Sequence, residues 1–309
     1  MLNKIRRKMK GWGLPLSHVA NELEKKDGTT QKRIAPATKR IYANTCQRMI
    51  EFFGQDVFVE SITRDEYAEW HDWLAERGTS EVTVNDYRRN GRAIWNHLKK
   101  RGFEVANIEG ITATLKEPIQ HSKAITDDIL HRILEVASIR DMAIVLFMAA
   151  SGMRRQSVGR ITVDRIKIWQ RPDGRFNMIA SIPAEKTSAP RELMGDHDSA
   201  LACQLWLSVR KHKESPWLFN STRDGEQLSE NSVSSIFRKL RIKANLPAGL
   251  NISPHSLRHR AAQRMLDDFD ARVVADFLGI SVETLLQVYA VRSREDLIIQ
   301  RFGDLPPDW

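Results

Sequence analysis

Apolar residues recur at helical spacing in three segments between residues 37 and 104. The first segment, TKRIYANTCQRMIEFFG, is amphipathic, and the third, TVNDYRRNGRAIWNHLKKRG, repeats that pattern. Between them, TRDEYAEWHDWLAERG opens with the Thr63-x-x-Glu66 spacing of a capping box. Each segment closes on a glycine, which favours a helix end there: Gly54, Gly78 and Gly102. The pattern predicts three helices.

The aromatic residues of these segments predict a small core rather than base-stacking positions: Trp70, Trp73, Trp95 and Tyr87. The last predicted helix also carries six basic residues: Arg88, Arg89, Arg92, Lys99, Lys100 and Arg101. Such a helix either enters a DNA groove or forms a solvated surface. The pattern leaves both interpretations open.

After a weakly periodic stretch over residues 105–122, which is typical of a linker, a second helical region begins with a cap at Thr126. The segment DMAIVLFMAASG is apolar on all sides, which predicts a buried helix that stops at Gly152. Two strand-like runs follow, DRIKIW and FNMIASIPA, joined by the turn QRPDGR, and PRELMG adds a third. From about residue 198 the pattern is mostly helical. The predicted fold is mainly α with one small antiparallel β-sheet.

Composition adds a bias in charge. The net charge is +9, and residues 1–40 hold 11 Lys and Arg against 3 Asp and Glu, while the rest of the chain is nearly neutral. This predicts a basic N-terminal arm over residues 1–34 that binds a polyanion, DNA or RNA before membrane. A disordered, solubilising tail is the alternative interpretation.

Other features of the composition exclude several classes of protein. The N-terminus lacks the apolar core of a signal peptide, and no run approaches a membrane span. Two distant cysteines, Cys46 and Cys203, offer neither a disulfide framework nor metal-ligand spacing. We therefore expect a cytoplasmic protein in a reducing environment.

Residues 253–266, SPHSLRHRAAQRML, contain the first candidate site. Ser253 suits an N-cap and Pro254 the first helical position. At 100° per residue, His255, Arg258 and His259 fall within about 100° of one another, on the stripe that Ala262 and Leu266 continue. We therefore expect these three side chains to point inward, near a helix N-terminus that favours an anion. A buried, hydrogen-bonded histidine with a solvated arginine is the alternative.

Three further segments carry candidate residues. Arg154 follows the buried helix in SGMRRQS, where it could grip a phosphate with two donors. Lys186 lies in the turn PAEKTSAPR, and Tyr289 lies in FLGISVETLLQVYAV, on a predicted short helix. Taken singly, a turn lysine is usually solvated, and a lone tyrosine usually belongs to a core or a surface.

Their order resembles that of the tyrosine recombinase (phage integrase) family. SGMR matches the family's first box at Arg154, HSLRH matches its second box at His255 and Arg258, and Lys186 falls on the hairpin lysine. Tyr289 lies nine positions after Ile280, which is the family's spacing between its LGH position and its nucleophile. The resemblance covers nearly the whole chain.

The resemblance implies a two-domain DNA clamp. Residues 35–104 would be a helical core DNA-binding domain, residues 123–290 the α+β catalytic domain, and residues 291–309 a tail for inter-subunit packing. Packing of the tail on its own domain is the alternative. It also implies double-stranded DNA as partner, a homotetramer on two DNA sites, no membrane, and in some systems an accessory DNA-bending or directionality protein. In a bacterial or phage setting the protein would associate with the nucleoid.

The resemblance also implies catalytic roles that need neither metal nor cofactor. Arg154 and Arg258 would clamp the phosphate, and His255 would handle the tyrosine proton. Lys186 would act as general acid, and Tyr289 would form a 3′-phosphotyrosyl bond. Two arginines can stabilise the charge that develops on the phosphate oxygens, and a phenol needs a base as it attacks.

Two positions depart from the family pattern. Ile280 stands where histidine or tryptophan is usual, and an isoleucine cannot donate a hydrogen bond to the phosphate. Ser157 stands where an acid is usual. His259 is a candidate substitute donor, although a structural hydrogen bond is the favoured interpretation. We expect an enzyme that is active but slow, or one that depends on a partner.

Three alternatives stay open from the residues. A recombinase-fold DNA-binding protein with weak or no catalysis, acting as repressor or architectural factor, fits Ile280. A type IB topoisomerase uses similar chemistry. A metal-dependent hydrolase would use His255 and His259 at i, i+4, but the glutamate of H-E-x-x-H is missing.

Overall fold

The computed structural model describes residues 13–25, 34–111, 114–116, 124–182, 190–250 and 252–289. The chain divides into two compact units, Met1–Ile119 and Gln120–Trp309. Within the described parts of the chain, no helix has both the length and the apolar character that a membrane span requires.

The first unit is helical. Its helices are α1 (Leu16–Glu24), α2 (Pro36–Phe53), α3 (Arg64–Glu76) and α4 (Glu81–Lys100), with a 3₁₀ turn at Val59–Ser61. The predicted helices correspond to α2, α3 and α4, and the Thr63–Glu66 capping box is present. These predictions succeed because caps and apolar spacing are local properties of the chain.

Helix α1 lies inside the range predicted as a basic arm. Its apolar residues Leu16, Val19, Ala20 and Leu23 are buried, and α1 packs on α2. They follow the i, i+3, i+4, i+7 spacing of an amphipathic helix, a signal that the charge of the surrounding segments obscures. Residues 16–24 therefore belong to the helical unit. Residues 1–12 and 26–33 of the predicted arm lie outside the described residues.

The predicted aromatic core is present in part. Trp70 and Trp95 are fully buried, whereas Trp73 and Tyr87 are half-buried at its edge. His71 is buried beside Tyr67, with ring centroids 5.0 Å apart. Burial, reinforced by Arg88 and Arg92, lowers the pKa of His71 to about 4.

Three of the six basic residues predicted on this helix bind backbone carbonyls of the unit, among them Arg92, which donates to Ile111 at 2.7 Å. Arg88 is buried and donates to the carbonyl of His71 at 2.7 Å. Arg101 donates to the carbonyls of Leu23 and Lys25 at the end of α1. Arg89, Arg92, Lys99 and Lys100 are exposed, so only part of the basic character of α4 faces solvent.

The range predicted as a linker begins as part of the first unit. Ile108 is buried in its core, and Asn85 of α4 exchanges two hydrogen bonds of 2.9 Å with the backbone of Leu115. Residues 117–123 lie outside the described residues.

The second unit surrounds a three-stranded antiparallel sheet with helices. The sheet has the order β1 (Ile166–Gln170), β2 (Phe176–Ile182) and β3 (Arg191–Gly195), as predicted from the alternating runs. The longer helices are α5 (Asp127–Glu135), α6 (Ile139–Ser151), α8 (His197–Val209), α9 (Glu230–Lys243), α10 (Pro254–Asp268) and α11 (Ala271–Leu278). Shorter pieces are α7 (Arg155–Val158), α12 (Val282–Thr284), a 3₁₀ turn at Val163–Arg165 and a π-helical turn at Leu285–Tyr289.

Helix α6 lies at the centre of this unit, packed against α8, α10 and β3. Ser138 caps its N-terminus and Gly152 its C-terminus, where Gly152 adopts the left-handed conformation with φ 61°. A side chain at residue 152 would also collide with Leu278 of α11. Arg154 therefore leaves a rigid, buried element at a fixed point, as the apolar run and its glycine predict.

Candidate active site

Helix α10 brings the histidine–arginine segment to the site. Ser253 caps it through a reciprocal pair of hydrogen bonds with Ser256, and Pro254 occupies the first helical turn. Arg258 and His259 are buried, at 3% and 4% exposure, as the helical stripe predicts. The expectation that His255 also points inward is wrong, because His255 is exposed. Helical angle gives the side of a helix on which a residue lies, but not whether a neighbour covers its first turn.

Arg258 is held on three sides. Its Nη1 donates to the carbonyl of Gly152 at 2.7 Å and its Nη2 to the carbonyl of Leu278 at 2.7 Å. Its Nε donates to the hydroxyl of Tyr289 at 3.1 Å. Burial lowers the pKa of Arg258, the tyrosine opposes that shift, and the nearby charge of Arg154 adds to it. A desolvated cation fixed in this way is prepared for an anion.

The C-terminus of α11 receives three arginines. The carbonyl of Leu278 accepts from Arg191 at 2.8 Å as well as from Arg258, and the carbonyl of Gly279 accepts from Arg154 at 2.7 Å. Carbonyls at a helix C-terminus carry partial negative charge and favour cations. Gly279 is left-handed with φ 61°, and a Cβ there would overlap Nη1 of Arg191 and lie 3.7 Å from Nη1 of Arg154.

Arg191, the first residue of β3, is a member of this group that the sequence analysis missed. Its segment, PRELMG, predicts only a strand. Nothing local marks this arginine, because its acceptor is a backbone carbonyl 87 residues away in the chain.

Tyr289 ends the π-helical turn and is 5% exposed. Its ring centroid lies 4.5 Å from that of His259 and 5.9 Å from that of His255, and the Arg258 guanidinium carbon lies 5.7 Å from it. The two histidine rings meet edge-on at 4.5 Å. π-Helical turns are often found at functional sites. His259 thus packs against the tyrosine ring, while His255 lies on the open side.

These side chains share a cavity of about 420 Å³. Arg154, His255, Arg258, Ile280 and Tyr289 line it, together with Arg155 and Ser234. The structure thus brings together four of the five predicted catalytic residues. The fifth, Lys186, lies outside the described residues.

Of the two positions that depart from the family pattern, Ile280 lines this cavity, and Ser157 donates its backbone N–H to the carbonyl of Arg154. Ile280 packs on the small apolar cluster formed by α10, α11 and the tyrosine turn. Ser157 is fully buried, and its hydroxyl finds no hydrogen-bond partner among the residues that the structure describes. A serine here supplies neither the charge nor the reach of a carboxylate.

The cysteines stay apart from the site. Both Cys46 and Cys203 are buried, and burial raises the pKa of each thiol to about 12, with Asp56 adding to the effect at Cys46. Across the described ranges, no three His, Cys, Asp or Glu side chains are grouped to hold a metal ion.

This chain is similar to known proteins in both sequence and fold. Residues 123–295 match the model of the phage integrase family. Tyrosine recombinase XerA of Pyrococcus horikoshii is 27% identical over 74% of this chain and 90% of its own length. Tyrosine recombinase XerC of Neisseria meningitidis serogroup B is 25% identical over 74% of this chain and 75% of its own. A lambda integrase tetramer bound to a Holliday junction has a similar fold, with a TM-score of 0.68 at 16% identity, over 92% of this chain and 80% of that one.

Proposed function

Since this chain belongs to the phage integrase family, as its motifs predict, we propose that it is a site-specific DNA recombinase whose strand breakage proceeds through Tyr289. The recombinases XerA and XerC support this reaction class, and the integrase solved on a Holliday junction supports DNA as the partner. One observation carries the proposal. The Tyr289 hydroxyl accepts a hydrogen bond of 3.1 Å from Arg258, in a cavity that Arg154 and His255 also line.

The proposed cleavage is a transfer of one phosphate bond. The Tyr289 oxygen attacks the phosphorus and passes its proton to His255. The bond from phosphorus to the 5′ oxygen breaks, and Lys186 gives that oxygen a proton. The 3′-phosphotyrosyl bond conserves the energy of the phosphodiester, so a 5′ hydroxyl of another strand can attack it without ATP.

The arginines stabilise the charge of the transition state. Negative charge develops on the two non-bridging oxygens as the tyrosine attacks. Arg154 and Arg258 are each held by a backbone carbonyl of the Gly279 turn, which comprises residues 278–280. Donors fixed before the reaction cost no reorganisation during it, which makes them effective catalysts.

The two histidines take different roles in this proposal. His255 is exposed at the cavity edge, so it can exchange the proton that it removes with solvent. His259 is buried with its ring centroid 4.5 Å from that of the tyrosine, which suits it to hold the phenol in place. We assign the general base to His255 and positioning to His259.

The other units of the chain take roles in DNA binding and assembly. We propose that residues 35–104 contact DNA and that four copies assemble on two sites, with an accessory protein in some reactions. The tail, residues 291–309, lies outside the described residues, and we propose that it packs on a neighbouring subunit. Deleting residues 292–309 should weaken synapsis more than single-site binding, whereas equal loss of both contradicts this role.

The decisive experiment is a covalent trap in EDTA. Wild type and Tyr289→Phe are incubated with nicked suicide duplexes made from the protein's own genomic neighbourhood and compared on a denaturing gel. We expect a shifted protein–DNA band for wild type alone. His259→Phe should keep the band, because a phenyl ring preserves packing, while His255→Phe should reduce it strongly.

A different outcome supports the second candidate. Tight, sequence-specific binding without any adduct would identify a DNA-binding protein that has lost catalysis. Two observations favour this candidate: the apolar Ile280 lines the cavity, and the Ser157 hydroxyl has no hydrogen-bond partner within the described parts of the chain.

A further inference from the structure

Arg155 lies at the edge of the same cavity as Arg154 but is held differently. Its side chain is 45% exposed, and its guanidinium bonds to side chains of helix α9. Nη2 donates to the Glu230 carboxylate at 2.6 Å, and Nη1 donates to the Ser234 hydroxyl at 3.0 Å. Arg154 and Arg258, in contrast, are anchored to backbone carbonyls of the Gly279 turn. Arg155 is therefore a cation at the cavity mouth whose anchors are side chains.

Releasing Arg155 from these anchors costs little. The Glu230 carboxylate is 48% exposed, and an ion pair between exposed groups contributes little to stability because water screens it. Glu230 also lies in the first turn of α9, directly after the N-cap Ser229. The helix N-terminus stabilises a carboxylate there whether or not an arginine is present.

We propose that Arg155 binds a DNA phosphate adjacent to the one that is cut, and that Glu230 holds its guanidinium until that phosphate displaces it. This inference rests on the proposed function. A phosphate presents two oxygens to the guanidinium fork and belongs to a polyanion whose counterions are released on binding. Glu230 then faces the incoming phosphate and opposes binding. Glu230 thus orients Arg155 at the cavity mouth, and a DNA phosphate must compete with Glu230 for the guanidinium.

The test is a salt titration of DNA binding by four proteins: wild type, Arg155→Gln, Glu230→Gln and the double variant. The probe is the duplex that wild type selects from a random-sequence library. Arg171→Gln and Asp173→Asn serve as matched controls, because that ion pair has similar exposure, 49% and 46%, and neither residue lines the cavity. Thermal unfolding of each variant is measured in parallel.

We expect Arg155→Gln to remove one phosphate contact. The slope of log affinity against log salt should then fall by about 0.9, so that the affinity advantage of wild type over the variant shrinks about 3.5-fold between 50 and 200 mM salt. Glu230→Gln should bind about two- to fivefold more tightly than wild type, since the competing ion pair is gone. In the Arg155→Gln background most of that gain should disappear.

An unchanged slope for Arg155→Gln, or equal affinity for Glu230→Gln and wild type, overturns the proposal. If both single variants lose melting temperature equally and show none of these binding effects, the pair is a structural ion pair that joins α7 to α9. The covalent trap distinguishes failure of the proposed role of Arg155 from failure of the proposed recombinase function. An adduct with wild type, combined with an unchanged slope, rejects only the role of Arg155, whereas a wild type that binds no DNA rejects both.

Discussion

Arg191 and Arg258 donate to the same acceptor, the carbonyl oxygen of Leu278, at 2.8 and 2.7 Å. One arginine begins a β-strand and the other lies in helix α10, so this oxygen ties the sheet to the candidate active site. The proposed phosphate clamp therefore depends on a residue that does not line the cavity.

Replacing Arg191 should slow cleavage more than it weakens binding. Arg191→Gln removes a charged hydrogen bond to the Leu278 carbonyl, and such bonds contribute about 1.5–3 kcal/mol. We expect single-turnover cleavage to fall about tenfold or more while DNA affinity changes little. Arg175→Gln, at an exposed arginine in the turn between β1 and β2, is the control. Equal rates for the two variants would show that Arg191 only stabilises the fold.

Gly279→Ala should abolish cleavage, in addition to the stability that it loses through backbone strain. Both Gly279 and Gly174 have positive φ, 61° and 80°, and alanine there costs about 1–2 kcal/mol. At residue 174 the new Cβ meets nothing closer than 4.0 Å, whereas at residue 279 it overlaps Arg191. We expect similar strain in both variants but loss of cleavage only in Gly279→Ala. Thermal melts and single-turnover cleavage measure the two effects separately.

Ile280→His should accelerate cleavage. A histidine at this cavity position adds a hydrogen-bond donor, and a single donor to the transition state is worth about 10²–10³ in rate at an optimal position. We expect a gain of about tenfold in single-turnover cleavage, since the surroundings of residue 280 are adapted to isoleucine. Ile280→Leu is the control for packing. If histidine is no faster than leucine, the missing donor does not limit this enzyme.

Acid should destabilise the first unit through His71. Its folded pKa, about 4, lies below the ordinary value of about 6.5, so the unfolded chain binds a proton first as pH falls. Neutral His71 contributes about 3 kcal/mol to the free energy of unfolding. This contribution is complete above pH 6.5 and is lost as the pH falls toward 4. Urea unfolding of wild type and His71→Phe at pH 7 and pH 4.5 measures this loss.

The variant His71→Phe should lose less stability than wild type over that pH interval. His18→Phe, at an exposed histidine of the same unit, should behave as wild type does. Parallel pH dependence in wild type and His71→Phe would mean that carboxylates alone account for the acid sensitivity.

The sequence was sufficient where the controlling interaction is local. The Thr63 capping box, the end of α6 at Gly152 and the three strands all follow from spacing within a few residues. The family motifs identified Arg154, Arg258 and Tyr289, which meet in one cavity. Position within a motif thus predicted proximity in space.

Interactions with distant backbone could not be predicted in this way. The acceptor of Arg191 is a carbonyl, which every residue possesses, so no pattern distinguishes Leu278. The exposure of His255 depends on what does or does not pack over its helix. The burial of α1 depends on a partner helix, since its apolar face is short and flanked by charge.

The Gly279 turn changes how mutation can act on this site. Its acceptors for Arg154, Arg191 and Arg258 are main-chain oxygens, which no amino-acid replacement can delete. Evolution can therefore vary the neighbouring side chains, as at Ile280, without dismantling the anchor. A substitution at Gly279 itself would disturb the anchors of three arginines at once.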